Sequence, residues 1–247
     1  MSPKKSDTWP LPTAKPEDVG FSSERLAKIR PAMQKYIDNH EIPCMITLVA
    51  RHGKIVHFEA QGYMDIESRR PVRKDVFFRL WSNSKPIAGV ATMILYEDGL
   101  LKLDDPVSKY VPTFKNPRLS TIATEAGMIP LVPARREITV RDCLRNTTGL
   151  AMVSRLPIQI MSKYEDALIK ARLISGPEEK KSKSIREIVE NLGVLPLSAN
   201  PGTEWRYHVG FPVLSTVLEV ASGMTLEEFY QKRIFKPLKM KNSSFQA

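Results

Sequence analysis

The chain has 247 residues, 42% hydrophobic and 26% charged, values close to those of folded globular domains and too apolar for a disordered chain. Twelve glycines cannot occupy every third position of a collagen helix. The net charge of +10 is dispersed along the chain and aromatic residues are only 8%, which argues against a nucleic-acid surface of clustered cations interleaved with rings.

Met1 to Lys15 carries Lys4, Lys5 and three prolines without an apolar core, so it reads as a flexible tail and not as a secretory leader. Phe21-Ser-Ser-Glu marks a helix entry, capped by Ser22 or Ser23. Leu26, Ile29, Met33 and Ile37 then form an apolar stripe to about His40. Cys44–Arg51 and Lys54–Gln61, joined by His52-Gly53, read as an antiparallel hairpin. A helix is predicted from Ser82 to Gly99, with Pro86 in its first turns. Short helices follow at Leu103–Val107 and after Thr139, and the proline-rich stretch 112–136 reads as loop. Residues 151–200 are mainly helical with a break at Gly176-Pro177, and two more helices span Val213–Ala221 and Leu226–Ile234. The sum is an α+β chain: a tail over 1–15, then one domain over 16–247 with a helical region at about 100–200. Its one hairpin lacks the strands that would complete a sheet.

No apolar run is long enough to span a membrane, and with no leader the expected location is cytoplasmic. Cys44 and Cys143 lack metal-site or disulfide-framework spacing and read as small buried residues. His52 and His57 flank the hairpin turn and read as surface residues, so no metal is expected. Lys180, Lys181, Lys183 and Arg186, beside Glu178 and Glu179, read as a solvated face. No G-x-S-x-G, H-E-x-x-H, P-loop or dinucleotide fingerprint occurs, so no cofactor is expected.

One spacing carries chemistry. Ser82-Asn83-Ser84-Lys85 is an S-x-x-K at the start of a predicted helix. Three residues apart, Ser82 and Lys85 share a face, and a helix N-terminus favours developing negative charge. A partly desolvated lysine there can take or relay the serine proton. The same spacing also fits a capping serine with a surface lysine, and Ser2-Pro3-Lys4-Lys5 matches it in the tail.

The surrounding residues decide between these. Phe78–Ala88 resembles the nucleophile segment of the serine β-lactamase-like superfamily, which includes the penicillin-binding proteins. Leu95–Pro112, Ile138–Leu150, Pro201–Gly210 and Leu218–Met240 resemble further family segments in the same order. The resemblance spans about residues 16 to 245 and comes nearest to the class C-like, or family VIII, carboxylesterases. It implies a β-lactamase/transpeptidase-like fold, an antiparallel sheet flanked by helices plus a helical region. It also implies roles: Ser82 as nucleophile, with Lys85 and Tyr207 as the pair that activates it. Family members continue well past the position of Phe245, through a third motif (K-T-G, H-x-G or W-x-G) and the remaining strands. The sheet is therefore expected to be incomplete in this chain.

Departures from the family pattern refine the expectation. Val209 stands where lactam-cleaving members have Asn, which favours an esterase. His208 replaces a small serine and adds a titrating group beside Tyr207. Asn146 and Thr148 stand for the usual His and Ser, and Trp81 precedes the nucleophile where a small residue is common. Trp81, expected to pack, and His208 and Val209 are the candidate substrate-binding residues. The implied activity is hydrolysis of carboxylic esters with short acyl chains, through an acyl-enzyme on Ser82. A β-lactamase or D,D-peptidase on the same fold is the alternative chemistry, and a non-catalytic scaffold that keeps the residues by descent is the alternative class. The expected partner is a small-molecule ester, not a membrane or nucleic acid, with self-association through an open sheet edge, or a missing C-terminal part, as further possibilities.

Overall fold

The computed structural model describes residues 11–120, 130–150, 157–207 and 209–245. It is a mixed helix-and-sheet chain that divides into two compact units, Met1–Phe78 and Arg79–Ala247.

In the first unit, Ser22 caps a one-turn helix α1 (Ser23–Leu26), its hydroxyl accepting from the Arg25 amide. Helix α2 (Ile29–Asp38) follows. The hairpin is present as β1 (Cys44–Arg51) and β2 (Lys54–Asp65), antiparallel, with β2 longer than its alternation predicts. Arg70–Pro71 adds a two-residue strand, β3, on the outer side of β2. Ile55, His57 and Gln61 share one parity of β2 and are buried. Gln61 ties that face to α2, its amide donating to the Arg30 carbonyl at 3.1 Å and to Gln34 Oε1 at 2.9 Å. His57 therefore corrects the surface reading: strand parity turns it inward, and Thr47 Oγ1 satisfies its Nε2 at 2.7 Å. His52 is exposed at the turn with φ +51°. Residues 12–14 run beside β2, exchanging backbone hydrogen bonds with Ile55.

The second unit is largely helical. A 3₁₀ turn at Trp81–Asn83 leads into α3 (Ser84–Glu97), so the helix starts two residues after the predicted position. The short Leu103–Val107 helix appears as a 3₁₀ turn at Val107–Lys109. Helix α4 (Val140–Arg145) is capped by Thr139 as expected, in a reciprocal capping box with Asp142. Helices α5 (Ile158–Lys163), α6 (Glu165–Lys170) and α7 (Ile185–Gly193) form the helical region, interrupted around Gly176-Pro177. Helix α8 (Gly210–Ser222) ends at Gly223 in the left-handed conformation, and α9 (Leu226–Tyr230) continues as a π turn over Gln231–Phe235. Residues 151–156 of the helical prediction lie outside the described residues.

The stretch read as loop contains two more strands, β4 (Arg118–Ser120) and β5 (Leu131–Pro133), paired antiparallel. Leu197 extends this pair by bonding to the backbone of Arg118 and Ser120. Three residues each, with Pro133 at one end, they are too short for an alternation signal. The core of this unit gathers Leu95, Val107, Phe114, Val140, Leu168, Val189, Val213, Val217 and Phe229. Cys143 belongs to it, whereas Cys44 is only half-buried, correcting its buried reading. Helix α3 is apolar on every side: Ala88, Ala91 and Leu95 are buried, yet Val90, Met93 and Tyr96 are exposed. No helix among the described residues is long and apolar enough to cross a membrane.

Candidate active site

Ser82 sits in the turn before α3, and Lys85 is the second residue of that helix. Their three-residue spacing brings Lys85 Nζ to 3.2 Å from Ser82 Oγ. Tyr207 arrives from a separate segment, the irregular stretch before α8. Its Oη accepts from Lys85 Nζ at 2.7 Å and shares a hydrogen bond with Ser82 Oγ. Three polar heads separated by up to 125 residues thus form a closed triangle. The ammonium also lies 4.5 Å from the Tyr207 ring centroid and 5.3 Å from that of Phe211, in α8. The hydrogen bond from Lys85, then that with Ser82, holds the Tyr207 phenol below its ordinary range, against the opposing effect of desolvation.

This triangle can move a proton. The lysine is nearer to the phenol oxygen than to the serine oxygen. It is therefore placed to stabilise a phenolate that accepts the Ser82 proton. Trp81 has φ +48°, a left-handed conformation uncommon for a bulky residue. Such strain concentrates where a turn must present a functional group.

The flanking expectations fare differently. Trp81 does not pack: it is 80% exposed beside the serine. Val209 is 8% exposed, within the hydrophobic core just before α8. His208 lies outside the described residues. A second exposed aromatic beside the triangle is Trp205, 67% exposed and stacked on Tyr207 with centroids 6.1 Å apart and planes 27° apart. Sequence reasoning passed over it. Its signal was the Trp205-Arg206-Tyr207 alternation of two aromatics about one cation.

A backbone template holds the Tyr207 segment. Residues 146–149, after α4, run beside residues 198–206. The carbonyls of Gly149, Thr147 and Asn146 accept from the amides of Ser198, Gly202 and Arg206, at 2.9, 2.7 and 2.7 Å. Asn146 and Gly149 both adopt left-handed backbone, and a Cβ on Gly149 would lie 2.1 Å from the Ala199 carbonyl oxygen. Gly149→Ala is expected to lower stability by about 1–3 kcal/mol from the φ angle alone, and more from the collision. Urea unfolding checks it, and a midpoint equal to wild type would refute the template. Below the template, Asp142 is buried and receives Arg136 at both oxygens, the Thr139 amide and hydroxyl, and Thr147 Oγ1. Among the described residues no cluster of His, Cys, Asp or Glu could hold a metal ion.

Comparison with known proteins gives the chain its family. The family described as Beta-lactamase matches residues 28–247. Esterase EstB of Burkholderia gladioli is 34% identical over 200 residues, covering 81% of this chain and 46% of that protein. Lovastatin esterase of Penicillium rubens is 32% identical over 196 residues, covering 78% of this chain and 46% of that one. Among solved structures, EstCE1, a hydrolase with promiscuous acyltransferase activity, superposes with a TM-score of 0.67 at 31% identity, covering 87% of this chain and 52% of its own. The chain spans about half the length of the relatives it matches. With the family matched over most of its length, this chain belongs to the beta-lactamase family.

Proposed function

We propose that this chain bears the nucleophile and base of a serine hydrolase that cleaves carboxylic esters of short acyl chains. The observation that carries the reading is the Ser82–Lys85–Tyr207 triangle. The esterase relatives at 34% and 32% identity support esters as the substrate class.

Ser82 Oγ attacks the ester carbonyl while its proton passes to the Tyr207 phenolate, which the Lys85 ammonium stabilises. Collapse of the tetrahedral adduct expels the alcohol, protonated by Tyr207, and leaves an acyl-serine. Water, deprotonated by the same phenolate, attacks the acyl carbon and frees the carboxylic acid and Ser82. The exposed Trp81 and Trp205 indoles stand beside the nucleophile as walls for the ester's apolar groups.

Turnover of a short-chain nitrophenyl ester, set against a chromogenic cephalosporin, tests the reading. The ester is expected to be the better substrate, with activity lost in Ser82→Ala. Equal ester turnover by wild type and Ser82→Ala would refute it, and faster cephalosporin turnover would move the site to lactam chemistry.

A further inference from the structure

We propose that Arg206 is a positioning residue, the staple that holds the Tyr207 phenol over Ser82 and Lys85. The inference rests on the reading of Tyr207 as the base, and it concerns how a residue on irregular backbone is kept in place.

Tyr207 lies in no helix or strand. A phenol on such a segment would sweep through several ångströms unless something fixed it, and proton transfer demands hydrogen-bond reach. Arg206 supplies fixation twice. Its amide donates to the Asn146 carbonyl at 2.7 Å, at the left-handed end of α4. Its guanidinium donates to Ser198 Oγ and, at 3.4 Å, to the Ser198 carbonyl. The same group donates through Nε and Nη2 to Glu204 Oε2, at 3.0 and 2.5 Å. One planar fork therefore closes the loop from residue 198 to residue 206, joining its start at Ser198 to its end at Glu204 and Arg206. Ser198 is itself fastened to the template, its amide donating to the Gly149 carbonyl at 2.9 Å. A path of direct bonds runs from α4 through Gly149 and Ser198 to the residue before the base.

Burial separates this arginine from a solvated surface charge. Its side chain is 9% exposed, between Trp205 at 67% and Tyr207 at 40%. The two rings stack on each other, while the guanidinium is taken up by Ser198 and Glu204. The hydrogen bonds of Arg206 go to Asn146, Ser198 and Glu204 and not to Ser82 or Lys85, so its effect reaches the reaction through Tyr207. Lysine's compact ammonium lacks the planar fork by which three nitrogens reach Ser198 and Glu204 together.

The test reads Tyr207 directly. The full chain labelled with ring-¹³C tyrosine gives signals from seven tyrosines, and Tyr207→Phe assigns the one of interest. In wild type that signal is expected to titrate below the ordinary tyrosine range. In Arg206→Gln it is expected to move back up toward that range, with circular dichroism unchanged. Modification of Ser82 by a fluorophosphonate is expected to slow about 10²-fold, the cost of a misplacement of about 1 Å. Arg206→Lys is expected to restore little of either. Ser198→Ala, a milder change that keeps the fold if Arg206→Gln does not, is expected to shift the signal the same way by less. A Tyr207 titration unchanged in whichever of these variants folds would overturn the proposal. The titration does not depend on activity. A wild type that resists the fluorophosphonate while its Tyr207 titration still depends on Arg206 would remove the hydrolase reading and leave the staple standing.

Discussion

Tyr207→Phe is expected to cut ester turnover about 10²–10⁴-fold while leaving the fold intact, because the substitution removes one oxygen from an exposed ring. That oxygen is the corner shared by Ser82 Oγ and Lys85 Nζ. Without it the serine keeps a 3.2 Å contact to an ammonium that has no free lone pair to accept a proton. Lys85→Ala is expected to cost a similar factor for a different reason. The phenol loses the hydrogen bond that most favours its ionisation, so the acid limb of the pH–rate profile should move to higher pH in this variant. Stopped assays across pH 6 to 10 measure both effects. A Lys85→Ala enzyme whose acid limb stays in place would show that the lysine does not act through Tyr207.

Asp142→Ala is expected to cost about 3–5 kcal/mol of stability, since it leaves the Arg136 fork, the Thr139 amide and two hydroxyls without their shared acceptor. Arg136 is partly exposed and water can reach it, which favours the lower end of that range. Burial opposes ionisation of Asp142, but the hydrogen bonds from Arg136, Thr139 and Thr147 outweigh it and hold the carboxyl below its usual value. A carboxyl lowered in the folded state adds stability above the unfolded value of about 3.9 and loses it as pH falls through the folded value. The gap in unfolding free energy between wild type and Asp142→Asn should therefore narrow as pH drops from 7 to 3. Asp105, lowered to about 2 by Lys109, Tyr110 and the Lys102 amide against the burial that opposes ionisation, titrates in the same window in both proteins and cancels from the difference. Urea unfolding at several pH values checks this, and a gap that stays constant would show that the charge of Asp142 is not what matters.

Local rules made much of the chain legible. The apolar stripe after Phe21, the turn at His52-Gly53, the Thr139 cap and the Gly223 stop are short-range signals, and each element stands close to its predicted place. β4 and β5 escaped because three-residue strands held by pairing alone leave no periodicity in sequence. His57 was read as surface because it flanks the turn; with Ile55 and Gln61 it lies on the side of β2 that is buried, which no local signal announced.

For the site, helical spacing joined Ser82 to Lys85 from the residues themselves. Tyr207 entered only through family resemblance, for no local rule brings together residues 125 positions apart. Arg206 was illegible for a related reason: its partners, Ser198 and the Asn146 carbonyl, meet it only once the template at residues 146–149 has formed. An arginine between two exposed aromatics looks like surface until the loop closes around it.

Intact-mass analysis after incubation with a fluorophosphonate, with the adduct mapped by peptide, tests the central claim most directly. A single adduct on Ser82, absent in Ser82→Ala and strongly slowed in Tyr207→Phe, is the result predicted by a triangle that activates the serine. A folded wild-type chain that acquires no adduct, or carries it on another residue, would contradict it.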